Sequence, residues 1–204
     1  MKIIAVGWNY PDHNKEMNRS LIPTNPVIFS KPDSALLKNG KPFFIPSFSN
    51  QVEYEAEIVL KISRVGKNIA EKFAHRYYSE VTIGIDFTAR DLQRQQKESG
   101  GPWEICKAFD NSAAIGEFVP LEQVGKIGDL NFSLNLNGKT VQKANTSEMI
   151  FSADKIIAYV SQYFTLKTGD MIFTGTPSGV GSVAINDRLE GSIGEKKLLD
   201  FYVK

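Results

Sequence analysis

Cysteine is nearly absent: the chain holds one, Cys106, so no internal disulfide can form. A lone thiol fits a reducing compartment. Histidine is almost as scarce, with His13 and His75 only. Two scattered histidines and one cysteine argue against a zinc site. No charge of one sign dominates, since 24 Lys and Arg face 23 Asp and Glu. No basic stripe recurs, so a nucleic-acid partner is not expected. Long apolar runs are missing too. The opening "MKIIAVGWNYPDH" is too short in apolar residues for a secretory leader, and nothing approaches a membrane span. A cytoplasmic protein with no membrane partner is expected. Internal repeats and low-complexity tracts are also lacking.

What is present is enough for a core. The chain has 204 residues and is 42% hydrophobic. It reads as one domain, 1–204, with residues 1–45 as a loosely attached N-terminal piece. "KIIAV" predicts a first strand and "YPDHNKEMNRS" a short helix with Pro11 in its first turn. Five prolines between residues 21 and 50 limit that region to short extended pieces, such as "VIFS" and "FFI". "EKFAHRYYSE" predicts a short helix, "VTIGIDF" a strand, and "TARDLQRQQKES" a helix stopped by Gly100 and Gly101. Asn137-Gly138 predicts a hairpin turn. "SADKIIAYVSQYF" predicts an amphipathic helix capped by Ser152. "DMIFTG", "DRLEGSI" and "KKLLDFYV" predict strands. Strands outnumber helices, and the helices are not spaced as crossovers. The expectation is an α+β fold dominated by mixed or antiparallel sheet.

Two glycine-rich signals carry little. "GVGSVA" matches a dinucleotide fingerprint, but a turn and strand follow it where a helix is required. "GTPSGVG" lacks the Lys-Ser/Thr of a phosphate loop. It is either a tight loop or a source of backbone donors for an anion.

The carboxylates say more. "QVEYEAEIVLKI" reads as a strand whose period of two puts Glu53, Glu55 and Glu57 in a row on one face. Either that face is a solvated edge, or something positive sits between the acids. Asp86 lies in a strand among Gly84, Ile85 and Phe87, where an unpaired acid is costly. If Asp86 meets Glu55 and Glu57, the result is a hard-oxygen site for Mg²⁺, Mn²⁺ or Ca²⁺. Arg90 and Gln93 lie three apart on the helix that follows. Lys107 is a further cation near apolar residues. His13 precedes Glu16 by three on a predicted helix, so the two can touch. A carboxylate on one imidazole nitrogen leaves the other as a base. His75, among Arg76, Tyr77 and Tyr78, reads as a surface residue.

Taken in order, "VGWNYPDHNKEM", "PVIFSKPDSAL", "VEYEAEIVL", "GIDFTARDLQ", "PWEICKAFDNSAAIG" and the long run from "LNLNGKTVQKA" to "TGTPSGVG" resemble the fumarylacetoacetate hydrolase family. The resemblance covers almost the whole chain and is nearest to the short acylpyruvate hydrolase and oxaloacetate decarboxylase branch. It implies a β-rich mixed-sheet roll, commonly a homodimer. It implies that Glu55, Glu57 and Asp86 bind Mg²⁺ or Mn²⁺, with Glu53 left over. It implies His13 and Glu16 as a catalytic dyad on a mobile lid, residues 7–22. It implies substrate contacts from Arg90, Gln93, Lys107 and Thr176, with Lys107 also a catalytic residue that adds positive charge where an enolate develops. The implied substrate is a small 2-oxo acid, cleaved at a C–C bond with release of pyruvate. Decarboxylation of oxaloacetate and isomerisation of unsaturated oxo-dioates are the alternatives. Many members read Gly-Arg-Asn-Tyr where this chain has Gly7-Trp8-Asn9-Tyr10, so Trp8 removes a guanidinium near the dyad. Ala113-Ala114 stand where members often carry Cys-Pro, which reads as a loop difference.

Overall fold

A computed structural model describes residues 1–18 and 21–204. Residues 19 and 20, at the end of the predicted first helix and inside the predicted lid, lie outside the described residues. Strands β1 (Ile3–Gly7), β2 (Val27–Lys31), β3 (Leu36–Leu37), β4 (Val52–Tyr54), β5 (Ala56–Ile62), β6 (Tyr78–Asp86), β7 (Thr88–Ala89), β8 (Ala113–Ile115) and β9 (Val119–Pro120) occupy the first part of the chain. β10 (Asn131–Leu136), β11 (Lys139–Asn145), β12 (Met171–Phe173), β13 (Gly181–Ser182), β14 (Arg188–Ile193) and β15 (Lys196–Tyr202) follow. Helices are few and short: α1 (Pro11–Glu16), α2 (Arg90–Ser99), α3 (Glu104–Lys107) and α4 (Ala153–Tyr163).

The largest sheet runs β2-β1-β12-β5-β6-β8-β3, with β9 joined to β6. It is mixed: β1 pairs parallel with β12, and β3 with β8, while β5 and β6 pair antiparallel. The β-rich α+β fold expected from the sequence is the fold observed. Of the first 45 residues, β1, β2 and β3 are woven into this sheet. β1 is flanked by β2 and β12, and Ile3, Ile4, Ala5 and Val6 are buried. An unbroken apolar strand with both faces covered suits such a place. "FFI" forms no strand; only Phe43 makes a bridge, to Val203.

The sheet β11-β10-β14-β15 covers one face of the large sheet. Gly191 of β14 has the spacing of that contact, since a Cβ there would come within 2.9 Å of Ile83. Phe43 stacks on Phe87 at 3.7 Å, and Phe201 meets Phe87 edge-on. The predicted turns hold. Asn137 and Gly138 take φ of 52° and 80°, the left-handed pair that a tight hairpin needs. Gly100 ends α2 at φ 70°. The Ser152 side chain accepts from Lys155 N at 3.2 Å and caps α4. "EKFAHR" is a 3₁₀ turn with His75 exposed. Among the described residues no helix is long and apolar enough to cross a membrane.

Candidate metal centre and active site

The strand read as one piece from 51 to 62 is two. It breaks at Glu55, because β4 pairs with β13 and β7 while β5 pairs with β12 and β6. The Glu55 carbonyl accepts from Asp86 N at 2.8 Å, which ties the break to the end of β6. Glu57 sits opposite Gly84 across β5 and β6. The result brings oxygens of Glu55, Glu57 and Asp86 within 4.8 Å of one another. All three are buried, and so is Glu53. A solvated charged edge is therefore ruled out, because both faces of the segment are covered.

Burial of these acids demands cations. Arg90, at the start of α2, donates from Nε to Glu53 and from an Nη to Glu55, each at 2.6 Å. Its remaining Nη donates to Gln93 Oε1 at 2.6 Å. Lys107, at the end of α3, donates to Glu55 at 2.7 Å, Asp86 at 2.8 Å and Thr88 Oγ1 at 2.6 Å. The sequence reading passed over Lys31. Its ammonium is fully buried, 2.7 Å from Asp86 Oδ1, and also donates to the Lys107 carbonyl and to Ser112. Lysine is an ordinary surface residue, and only its place at the end of the strand "VIFSK", one residue beyond the apolar "VIF", marks it as unusual.

These pairings split the three acids. Burial alone would raise Glu55, but Lys107 and Arg90 overcome it and hold its carboxyl far below the usual range. Glu57 goes the other way. Burial pushes it well above the usual range, Asp86 and Glu55 push further, and the Gly175 N–H and the charge of Lys107 pull back without offsetting them. Among the described residues no Lys or Arg is ion-paired with Glu57. A buried acid with like charges beside it and no cation of its own is suited to a divalent ion, and carboxylate oxygens are the donors that Mg²⁺ and Mn²⁺ take. The donor set fits such an ion.

The dyad forms. His13 Nδ1 lies 3.0 Å from Glu16 Oε2 on α1. A carboxylate can only accept, so Nδ1 carries a proton, and in the neutral ring the free lone pair is then on Nε2. Glu16 is lowered: burial would raise it, but hydrogen bonds from His13 and Gly179 outweigh that. The "GTPSGVG" donors are consumed by the protein's own acids. Gly175 N donates to Glu57 at 2.6 Å and Gly179 N to Glu16 at 2.9 Å. Trp8 stacks on the His13 ring with centroids 5.9 Å apart. "GVGSVA" opens no helix; it enters the two-residue strand β13.

His13, Glu55, Glu57, Asp86, Arg90, Gln93, Lys107 and Thr176 line one small cavity of about 20 Å³. Glu16 stands behind His13. Every predicted site residue is thus gathered in one place. Gln142 was missed, since hairpin-strand glutamines are usually solvated. It is buried, accepts from Ala56 N at 2.9 Å, and donates to Thr176 Oγ1 at 2.9 Å. The 7–18 part of the predicted lid is anchored more than its polar sequence suggests, with Trp8, Asn9, Tyr10, His13 and Asn14 buried.

The family model described as Fumarylacetoacetate (FAA) hydrolase C-terminal matches residues 2–199. The chain belongs to the fumarylacetoacetate hydrolase family. Among its relatives is the mitochondrial oxaloacetate tautomerase FAHD1 of Rattus norvegicus, 41% identical over 94% of this chain and 86% of that protein. Oxaloacetate tautomerase YcgM of Escherichia coli is 39% identical over 92% of this chain and 86% of its own length. The crystal structure of fumarylpyruvate hydrolase from Pseudomonas aeruginosa, in complex with Mn²⁺ and pyruvate, superposes with a TM-score of 0.93 at 36% identity. It covers 100% of this chain and 89% of that one. This fumarylacetoacetate hydrolase family member is therefore an enzyme, built on the same mixed-sheet fold with few helices.

Proposed function

We propose that this enzyme cleaves a C–C bond in a small 2-oxo acid of the acylpyruvate type, releasing pyruvate, with Mg²⁺ or Mn²⁺ as cofactor. The observation that carries the reading is the His13–Glu16 dyad facing the Glu55, Glu57 and Asp86 triad across one cavity. Those three carboxylates would hold the ion, which when bound supplies Lewis-acid polarisation of the substrate's oxygens.

The chain's own groups do the rest. Arg90, Gln93 and Thr176 orient the carboxylate end of the substrate. His13 Nε2 takes a proton from water, and Glu16 steadies the imidazolium. The water oxygen bonds to the distal acyl carbon. The bond between that carbon and C3 of the pyruvyl unit breaks, and its electron pair stays on the pyruvyl side. The Lys107 ammonium offsets the charge that develops there. The proton on His13 then passes to C3. One water is consumed, and a carboxylic acid and pyruvate leave.

The relatives' names favour a second reading, keto–enol exchange in oxaloacetate. There His13 would move a proton between C3 and the 2-oxo oxygen with no water consumed. Loss of CO₂ from oxaloacetate would likewise need no water. A metal-supplemented screen separates these. Pyruvate release from acylpyruvates supports the hydrolase. Accelerated decay of the oxaloacetate enol absorbance, with no pyruvate from any acylpyruvate, supports the tautomerase instead. Pyruvate formed from oxaloacetate alone supports the decarboxylase.

A further inference from the structure

The acids and cations fill one side of the cavity, and the other side is aromatic. Trp8 meets Trp103 edge-on at 6.4 Å, and Trp103 meets Phe29 edge-on at 5.6 Å. Trp8 adopts φ 65°. Such a conformation costs a bulky L-residue roughly 1–2 kcal/mol, and strain of this kind gathers at functional sites. Here it lays the indole on the His13 ring. Beyond the wall, Phe29 and Trp103 also line a cleft of about 380 Å³ with Ile4, Val27, Ile28 and Phe164.

Charge counting sharpens the point. Four buried acids, Glu53, Glu55, Glu57 and Asp86, face three buried cations, Lys31, Arg90 and Lys107. With all four acids ionised, as they are when an ion is held, they sum with the cations to −1, and a divalent ion makes the total +1. One substrate carboxylate brings it to zero. A second carboxylate would be buried without a partner, because Lys107 already makes three bonds to side chains and Arg90 is shared by Glu53, Glu55 and Gln93. An unpaired buried charge is strongly disfavoured. The distal end of a bound 2-oxo acid therefore meets rings, with Glu16 near the rim.

We infer that Trp8 determines specificity, and that the site selects monoanionic 2-oxo acids with an uncharged apolar or aromatic tail over dicarboxylates. This rests on the 2-oxo acid reading above. Lys97 holds its ammonium 4.5 Å from the centroid of the Trp8 ring, a cation–π contact on the indole.

The test is binding, which does not depend on turnover. Calorimetry with the Mn²⁺-loaded protein compares phenylpyruvate with 2-oxoglutarate. Phenylpyruvate should bind more tightly by on the order of tenfold. Trp8→Arg adds a cation and should close or invert that ratio. Trp8→Leu, a second variant should the first fail to fold, should weaken phenylpyruvate and leave 2-oxoglutarate unchanged. Equal or tighter binding of 2-oxoglutarate by the wild type overturns the inference. If Lys97→Gln abolishes such a preference for the dianion, the distal end is read by Lys97 instead. A ratio unmoved in both Trp8 variants also overturns it. If no acylpyruvate is cleaved but the binding preference holds, the hydrolase reading falls and the specificity assignment stands.

Discussion

Asn9 is the joint that holds the dyad segment to the rest of the site. Its side chain is fully buried. Nδ2 donates to the Phe151 carbonyl at 3.1 Å and to the Thr174 carbonyl at 2.8 Å, while Oδ1 accepts from Phe151 N at 2.8 Å. One amide thus links the residues before α1 to the turn before α4 and to the end of β12. Asn9→Ala leaves three backbone groups without partners in a dry place. At a net value of about 0.5–1.5 kcal/mol per hydrogen bond, the loss is roughly 2–4 kcal/mol. For a chain of this size each kcal/mol moves the melting temperature by about 2–4 °C. A drop of roughly 5–15 °C is expected, with a lower urea midpoint. Asn9→Asp keeps the acceptor for Phe151 N but turns an oxygen toward two carbonyls, so it should destabilise at least as much. Circular dichroism melts and urea titrations of both variants provide the measurement. A shift below about 2 °C in Asn9→Ala, or a clearly milder Asn9→Asp, would refute this account of the joint.

Two further outcomes are expected. Glu57 carries a raised carboxyl, so the folded, metal-free protein keeps a proton that the unfolded chain releases near pH 4.3. Stability of the metal-free protein should then decline as pH rises from there through the folded value. Glu57→Gln should remove that slope, stabilise the metal-free form at neutral pH, and abolish the rise in melting temperature caused by Mn²⁺; a wild-type slope in the variant argues against this charge arrangement. His13→Ala should lower hydrolytic turnover by about 10²–10⁴-fold while calorimetric Mn²⁺ affinity stays within about twofold, since the imidazole is not among the clustered oxygens. Undiminished turnover at saturating substrate removes His13 as the base.

Local rules carried much of the structure. Asn137-Gly138, Gly100 and Ser152 act through their own backbone or one neighbouring turn, so their roles were legible in the sequence. The pairing of His13 with Glu16 was legible for the same reason, because three residues on one helix decide it. The acid pattern "EYEAE" and the isolated Asp86 marked a candidate metal centre. What a period of two could not reveal was the break at Glu55, which arises because β4 and β5 are claimed by different sheets. That break turns a stripe of acids into a cluster. Lys31, Gln142 and the donors of Gly175 and Gly179 come from distant parts of the chain, and their residue types are common on surfaces. Only the close packing of the sheets buries them and makes each one answer a carboxylate. The sequence by itself determined which residues could do chemistry; the tertiary structure decided which charges each would meet, because the balance between burial and pairing exists only once the chain has closed around them.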